Sequence, residues 1–330
     1  MAQHVVVGKG PVGRTLASTL ARAGHDVLVL SRSGGMPRLP GEPTAEMPGT
    51  ITAEDLDATD AAALTSAVQG TDALHVCVNP PYHRWPTDWP PLGESFLAAA
   101  ERTGVVLVTA GNLYGYGAGT HRMTEQTPLR STEPKGRVRA DLWHEALRRH
   151  RAGVVRATEV RAADYLGPGA EDHAHAGPRM LRPLLAGRPV RPIGSVDQPR
   201  SWTYLPDLAA ALAAAASTPA AWGRPWHAPS PEPLTFRELA TRFAVAAGAP
   251  GPRFAPLSMG AVRALGLVSP MLRELGRVGY QFTEPFVMAS AASQEALGVT
   301  PTPWDVIVGQ TLAAWRADAA AGVPAVSRRP

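Results

Sequence analysis

The stretch "VVVGKGPVGRTLASTLARAG", from Val5 to Gly24, joins an apolar run to an amphipathic segment through a glycine-rich turn. Gly8, Gly10 and Gly13 stand in the spacing G-x-G-x-x-G. Between a strand and a helix, these glycines permit a tight turn, close backbone approach to a pyrophosphate, and packing of the helix on the strand. The helix N-terminus also favours an anion. We therefore expect dinucleotide binding along Gly8, Lys9, Gly10, Pro11, Val12 and Gly13, with a purely structural turn as the alternative.

The first half of the chain alternates apolar runs with helical segments. In order, these are "HVVVG", "GRTLASTLARAG", "DVLVLSR", "DAAALTSAVQG", "DALHVCV", "GESFLAAAERTG" and "VVLVTA". Such alternation is typical of an α/β fold with right-handed crossovers. The apolar run from Val105 to Val108 fits a strand that is buried on both faces. We predict a Rossmann-type doubly wound parallel sheet, with a smaller, interleaved C-terminal substrate-binding lobe.

The domain boundaries follow from a change of composition beyond Gly167, where proline-rich connections become frequent. We expect an NADP-binding Rossmann domain over residues 1–166, to which residues 201–228 return as the helix in "SWTYLPDLAAALAAAAS". Residues 167–200 and 229–330 then form the substrate-binding lobe. Thr235 and Glu238 have the spacing of a capping box for a helix of that lobe.

Composition excludes several classes of protein. The net charge is +4, but the arginines are scattered, so we expect no nucleic-acid partner. The chain shows no secretory or membrane-spanning pattern, which predicts a cytoplasmic location without a membrane partner. Cys77 is the single cysteine, which leaves no internal disulfide or thiolate zinc site. The loop with Asp172, His173 and His175 is the one place for a metal, and we expect none. If the chain associates, we expect a homodimer.

The end of the second predicted strand indicates which dinucleotide binds. The segment "LVLSRS" lacks the acidic residue that would hold the ribose hydroxyls of NAD. Ser31 and Arg32 stand there instead, and a guanidinium suits a 2′-phosphate through paired hydrogen bonds. Lys9 supplies a second cation nearby. The expected cofactor is NADP(H).

A helix predicted from Pro134 to His150 carries two unusually placed cations. Lys9 and Lys135 are the only lysines of the chain, although arginines are plentiful. At 100° per residue, Lys135 and Arg139 fall on the apolar face of the helix, so a polar or anionic group should face them. Burial, the helix dipole and Arg139 should lower the pKa of Lys135 toward the range useful for proton transfer. In the alternative, both side chains run along the surface with their charges in water.

Taken together, the motifs resemble the short-chain dehydrogenase/reductase superfamily in its extended, NAD-dependent epimerase/dehydratase-like form. The resemblance covers nearly the whole chain. It is carried by "GKGPVG", "LDATDAAAL", "VTAGNLYGYG", "VRAADYLGPG" and "WTYLPDLAAAL". It implies that a dinucleotide binds across the large lobe and a small-molecule substrate binds in the cleft between the lobes.

The family's catalytic motif Y-x-x-x-K is altered, which makes the chain an atypical member. Lys135 takes the place of the tyrosine and Arg139 that of the lysine, while the helper serine or threonine position falls on Ala110, one residue after Thr109. The resemblance therefore implies that Arg139 binds the nicotinamide ribose and that Lys135 is the leading acid/base. Tyr114, Asn112 and Thr109 complete the catalytic candidates.

The resemblance and the strand ends together give the remaining candidate residues. Beyond the glycine loop, we expect cofactor contacts from Ser31, Arg32, Asp57, Ala58, Val78, Asn79, Pro80, Arg139, Ala162 and Tyr165. Expected substrate contacts come from Tyr82, Trp85, Tyr116, Tyr165 and Trp202. The segment from Asn79 to Pro91 is rich in proline and aromatic residues and either walls an apolar pocket or packs as a long loop.

We hypothesise an NADPH-dependent oxidoreductase that acts on a small carbonyl-type or sugar-like substrate. The alternatives are a non-catalytic NADP-binding regulatory protein, which would need no acid/base, and an epimerase, dehydratase or cyclase that uses NADP. All three classes need the glycine loop, so the loop does not discriminate among them.

Overall fold

A computed structural model of the chain describes residues 1–35, 47–171 and 174–320. Seven parallel strands form the main sheet, in the order β3-β2-β1-β4-β5-β7-β10. They are β1 (Gln3–Val7), β2 (Asp26–Ser31), β3 (Ile51–Asp55), β4 (Ala73–Val76), β5 (Val106–Asn112), β7 (Arg156–Ala162) and β10 (Pro225–His227). The order reverses between β1 and β4, as in a doubly wound sheet. The predicted fold class is confirmed.

Helices cover both faces of this sheet. On one face lie α1 (Pro11–Arg22) and α6 (Leu205–Ser217); on the other lie α2 (Ala61–Val68), α3 (Trp85–Thr103) and α4 (Pro134–Arg151). Successive strand residues point to opposite faces. Val6 accordingly packs in the core with α1 and α6, whereas Val5 and Val7 pack in the core with α2, α3 and α4. Burial on both faces explains why the strands are continuous apolar runs.

Several of the remaining elements form a third apolar cluster, with Leu181, Trp202, Leu239 and Ile307 among its buried residues. Two small sheets pair β6 (Arg122–Met123) with β11 (Val287–Met288) and β8 (Asp164–Leu166) with β9 (Trp202–Tyr204). The other helices are α5 (Pro178–Leu185), α7 (Phe236–Ala247), α8 (Met259–Leu265), α9 (Pro270–Arg277), α10 (Tyr280–Thr283), α11 (Ala291–Leu297) and α12 (Trp304–Ala320). Thr235 and Glu238 form the predicted capping box at the start of α7. None of the described helices is long and apolar enough to span a membrane.

Two segments differ from the sequence prediction. The strand β3 was missed, and most of the expected loop from Asn79 to Pro91 is helical, because α3 begins at Trp85. A proline in the first helical turn is harmless, since the N–H group there has no intrahelical partner. Trp85 and Trp89 lie one turn apart and are both buried, so packing outweighs the unfavourable prolines inside the helix.

Buried histidines lie in and near the sheet. His4 Nδ1 and His75 Nε2 are 3.1 Å apart and share a hydrogen bond between β1 and β4. Burial lowers the pKa of His4 to about 4, and nearby His25 adds to this, while Asp72 opposes it. Burial also lowers the pKa of His75 well below its usual range and that of His227 to about 4. These rings are therefore neutral in the folded protein at neutral pH.

We expect the free energy of unfolding to fall as the pH drops from about 6.5 to about 4. The unfolded chain binds protons at its histidines near pH 6.5, whereas the folded chain takes them up only near pH 4, so acid favours unfolding. The loss reaches about 1.4 kcal/mol per pH unit for each such histidine. Urea unfolding at about pH 7 and about pH 5 measures it. His83→Gln, at an exposed position, should show the same difference; equal stability at both pH values would contradict the prediction.

Candidate active site

The three motif glycines have different surroundings. Gly8 has φ +111°, and a Cβ there would lie 2.7 Å from the carbonyl group of Cys77. A Cβ on Gly13 would lie 1.8 Å from the carbonyl oxygen of Gly8, so α1 packs directly on the turn. At Gly10, a Cβ would meet no described atom within 4 Å. Gly10 also caps α1 without a side-chain hydrogen bond. The loop is thus closed at Gly8 and Gly13 and open at Gly10, which fits a pyrophosphate at the helix N-terminus.

The predicted 2′-phosphate site lies where β2 and β3 end. Arg32 is exposed, and the Lys9 ammonium donates to the carbonyl oxygens of Gly34 and Gly35. Asp57 accepts hydrogen bonds from the backbone and side chain of Thr59, which lower its pKa, and the charge of Arg32 lowers it further. Arg32 and Asp57 therefore lie close together, at the end of the site where the adenosine half of a dinucleotide is expected.

The side chains of Lys135 and Arg139 point into the protein, as predicted. Their residues are 1% and 6% exposed, so the surface alternative is wrong. The Lys135 ammonium donates to the backbone carbonyl of Glu274 at 2.6 Å and lies 3.2 Å from its carboxylate. Burial lowers the pKa of Lys135, while Glu274 opposes the shift. The expected anionic partner is therefore present, and it comes from α9.

Arg139 is enclosed by aromatic rings. Its guanidinium carbon lies 4.8 Å from the ring centre of Trp85 and 4.3 Å from that of Trp89. Nη2 donates to Asn79 Oδ1 at 3.4 Å, whereas Nε and Nη1 have no partner among the described residues. Cation–π contacts stabilise the charge, but buried N–H groups need acceptors. The site fits a ligand with hydroxyl or anionic oxygens.

A pair of tyrosines lies beside these cations. The hydroxyl oxygens of Tyr82 and Tyr114 are 2.9 Å apart, and the Lys135 ammonium lies 5.0 Å from the ring centre of Tyr82. Asn112 Oδ1 accepts from the backbone N–H of Tyr114 at 3.1 Å and fixes the turn after β5. Burial raises the pKa of Tyr165, and the charge of Arg139 opposes that shift.

The remaining cofactor candidates lie at or near the ends of strands. Ser31 ends β2 and Ala162 ends β7, while the catalytic candidate Thr109 lies within β5. Ala58, Val78 and Pro80 lie in connections beyond β3 and β4. All of these strands end at the same edge of the parallel sheet, which is where ligands bind in such folds.

Three predicted substrate residues are buried and have no surface for a ligand. Trp85 is 0% exposed and Trp202 is 1% exposed, and their indole N–H groups donate to the carbonyls of Pro80 and Leu234. Tyr116 is 1% exposed and is hydrogen-bonded inside the core. The structure therefore does not support them as pocket walls, because their large apolar surfaces stabilise the core instead. Tyr82 and Tyr165 remain half-buried at the cleft.

A buried polar network below the cleft was missed by the sequence reasoning. The hydroxyl of Tyr116 donates to His227 Nε2 at 2.6 Å, because Nδ1 of that ring donates to the carbonyl of Ala289. Arg161 donates to the Tyr116 oxygen at 2.9 Å and to Glu159 at 2.8 Å. The charged residues Glu159 and Arg161 within a predicted buried strand were the available signal. The network ties the ends of β7 and β10 to the turn after β5, beneath the site.

No metal centre is found among the described residues: no group of three or more ligand side chains is placed to hold an ion. Asp172 and His173 lie outside the described residues. His175 packs against the rings of Trp202, Phe236 and Phe282, and burial keeps its pKa well below its usual range.

The fold and this site together define a Rossmann-type nucleotide-binding protein with additional helices outside the main sheet. The chain belongs to the NAD dependent epimerase/dehydratase family, whose model matches residues 5–227. The resemblance inferred from the sequence is thereby confirmed. A comparison with curated proteins finds no significant match.

Several solved structures share the fold over nearly the full length. MoeE5, in complex with UDP-glucose and NAD, has a TM-score of 0.74 at 19% identity, covering 96% of this chain and 99% of that one. DesIV, a dTDP-glucose 4,6-dehydratase from Streptomyces venezuelae with NAD and TYD bound, has a TM-score of 0.73 at 19% identity, covering 98% and 99%. A dTDP-glucose 4,6-dehydratase from Bacillus anthracis str. Ames, in complex with NAD, has a TM-score of 0.75 at 13% identity, covering 96% and 97%.

Proposed function

We propose that the protein is an NADPH-dependent oxidoreductase of the extended short-chain dehydrogenase/reductase type. Its substrate would be a small carbonyl-type or sugar-like molecule, and Lys135 and Arg139 would replace the usual tyrosine and lysine. The observation that carries the proposal is the buried guanidinium of Arg139, whose Nε and Nη1 have no partner among the described residues. Free, buried donors at the ligand-binding edge of the sheet suit the ribose hydroxyls of a nicotinamide dinucleotide.

The residues that would hold the dinucleotide are spread along this edge. The open backbone at Gly10 would bind the pyrophosphate, and Arg32 and Lys9 would bind the 2′-phosphate. Arg139 and Asn79 would bind the nicotinamide ribose. A bound nicotinamide dinucleotide supplies a hydride. Family membership and the NAD complexes of MoeE5 and DesIV support a nicotinamide cofactor. The preference for NADP rests on Ser31 and Arg32.

The two cations of α4 would stabilise negative charge on the substrate. Both are already oriented, Lys135 by Glu274 and Arg139 by two indole rings, so little reorganisation is needed when charge develops on an oxygen. The Lys135 ammonium is enclosed by its contacts with Glu274, and its residue is only 1% exposed. This arrangement fits an electrostatic role better than direct contact with a substrate.

Arg32→Ala should weaken NADPH binding by about 10- to 100-fold and change NADH binding by less than about twofold. A bidentate charge-assisted contact contributes roughly 1.5–3 kcal/mol, and NADH lacks the phosphate that makes this contact. Nicotinamide fluorescence titrations with both dinucleotides measure the two affinities. Arg84→Ala is a matched control, because Arg84 is exposed and pairs with Asp88 on α3. Equal losses of NADPH and NADH affinity would refute the 2′-phosphate assignment.

An epimerase or dehydratase is the second candidate, and the family and its sugar-nucleotide neighbours favour it. The two functions differ in whether the dinucleotide is consumed during the reaction. A reductase consumes NADPH in proportion to product, whereas an epimerase or dehydratase returns its dinucleotide unchanged. Purified protein should be incubated with a panel of carbonyl compounds and sugar nucleotides, in parallel with NADPH and with the oxidised dinucleotides NADP⁺ and NAD⁺, with absorbance and product followed together. Stoichiometric NADPH oxidation supports the reductase; product without net oxidation supports the second candidate.

A further inference from the structure

Tyr82 and Tyr114 are partly exposed residues in the connections after the neighbouring strands β4 and β5. They share a hydrogen bond at 2.9 Å at the edge of the sheet where ligands bind. Lys135 differs from them in access, because it is 1% exposed and its ammonium already contacts Glu274. At the level of whole residues, Tyr82 and Tyr114 are therefore the more accessible of the three.

The surroundings of the two hydroxyls give them different pKa values. Burial raises the pKa of Tyr82, while the hydrogen bond from Tyr114 and the charge of Arg139 lower it; Asp164 acts in the opposite direction. Burial raises the pKa of Tyr114 well above its usual range, and Tyr82 adds to that shift, whereas the side chain of Gln281 opposes it. Tyr82 is therefore the more acidic member. Either hydroxyl can donate in this pair; when Tyr114 is the donor, the proton of Tyr82 is free for another acceptor.

Lys135 lies beside this pair. Its ammonium is 5.0 Å from the ring centre of Tyr82 and is held by Glu274. The lysine that stands where the family has its tyrosine therefore packs against a tyrosine from a different segment of the chain.

We propose that Tyr82 is the proton donor to the substrate oxygen and that Tyr114 is the hydrogen-bond donor that positions and stabilises it. This rests on the proposed reductase function, in which hydride from the dinucleotide reduces the carbonyl carbon. The O–H bond of Tyr82 breaks, the O–H bond of the product alcohol forms, and the electron pair stays on Tyr82 as phenolate. The hydrogen bond from Tyr114 and the charge of Arg139 stabilise this phenolate, which water reprotonates after release of the product.

The kinetic test compares three conservative variants, using NADPH and a panel substrate that the wild type reduces. Tyr82→Phe should lower kcat by about 100-fold or more, the usual scale for loss of a general acid, with an unchanged Kd for NADPH. Tyr114→Phe should lower kcat by about tenfold and shift the pH profile, because Tyr82 becomes a weaker acid. Tyr280→Phe is the control and should be unchanged, since its buried hydroxyl has no partner among the described residues.

The second readout needs neither cofactor nor turnover. The chain has 6 tyrosines, so labelling their Cζ carbons with ¹³C gives a resolvable NMR spectrum of the free protein. Tyr114→Phe should move the Tyr82 resonance and raise its pKa, because a hydrogen bond to the phenolate is lost. An unmoved Tyr82 resonance would overturn the proposal.

The outcomes separate this inference from the function on which it rests. A wild type that reduces a panel substrate, together with a fully active Tyr82→Phe, removes Tyr82 from the mechanism and leaves the reductase standing. A wild type that binds NADPH but reduces nothing in the panel refutes the reductase and, with it, the role of Tyr82. Loss of kcat in Tyr82→Phe with intact NADPH binding supports both.

Discussion

Gly10→Ala should leave the protein folded and weaken dinucleotide binding by about 100-fold or more. The new methyl group meets no described atom within 4 Å, and φ of −71° at this position suits alanine. The same methyl group occupies the space into which a pyrophosphate must come to reach the backbone N–H groups at the start of α1. Loss of two charge-assisted hydrogen bonds accounts for this magnitude. Thermal unfolding and a fluorescence titration measure the two effects.

Two other glycines provide the controls. Gly13→Ala should reduce both stability and binding, because its Cβ would lie 1.8 Å from the carbonyl oxygen of Gly8 and the backbone must move. Gly309→Ala, at an exposed position in α12, should leave both unchanged or slightly raise stability. If Gly10→Ala bound NADPH as tightly as the wild type, the open side of the loop would not be the pyrophosphate site.

The second large effect is expected at the buried ion pair beneath α9. Glu274→Gln should lower the free energy of unfolding by about 3 kcal/mol, because it leaves the Lys135 ammonium buried without a counter-charge. Lys135→Met should cost less, since Glu274 keeps its contact with Arg277 at 2.6 Å. Urea unfolding of the two single variants and the double variant measures the coupling between them.

The matched control for this pair is Glu284→Gln. Glu284 lies 3.2 Å from His121, but both side chains are substantially exposed, at 42% and 56%. Exposed pairs contribute between 0 and about 1 kcal/mol. If Glu274→Gln destabilised the protein no more than Glu284→Gln does, the contact of Lys135 with Glu274 would not be a buried tie between α4 and α9.

The sequence was sufficient for those features that depend on local pattern. Gly8 and Gly13 pack closely and Gly10 faces open space, as the motif predicts, because the spacing of the three glycines is tied to one strand, one turn and one helix. The inward orientation of Lys135 and Arg139 followed from helical periodicity alone and is confirmed by their burial. The parallel strands were predicted from their continuous apolar runs, which occur because helices cover both faces of the sheet.

Features that depend on tertiary contacts could not be predicted from local sequence patterns. Glu274 lies 139 residues from Lys135 in the chain, and no spacing rule joins an α9 carboxylate to the first turn of α4. The same holds for the hydrogen bond between Tyr82 and Tyr114, which bridges two separate connections. The burial of individual aromatic side chains was also not predictable from local pattern. Trp85 and Trp202 lie near cleft motifs in the sequence, but a large aromatic ring stabilises a core as well as it walls a pocket.

The most direct test of the account is calorimetric titration of the wild-type protein with NADPH and with NADH. The open loop at Gly10, the exposed Arg32 and the free donors of Arg139 predict that both dinucleotides bind and that NADPH binds at least about tenfold more tightly. Binding of neither dinucleotide would contradict the central claim that this fold serves a nicotinamide cofactor. Tighter binding of NADH would retain the cofactor site and refute its preference for NADP.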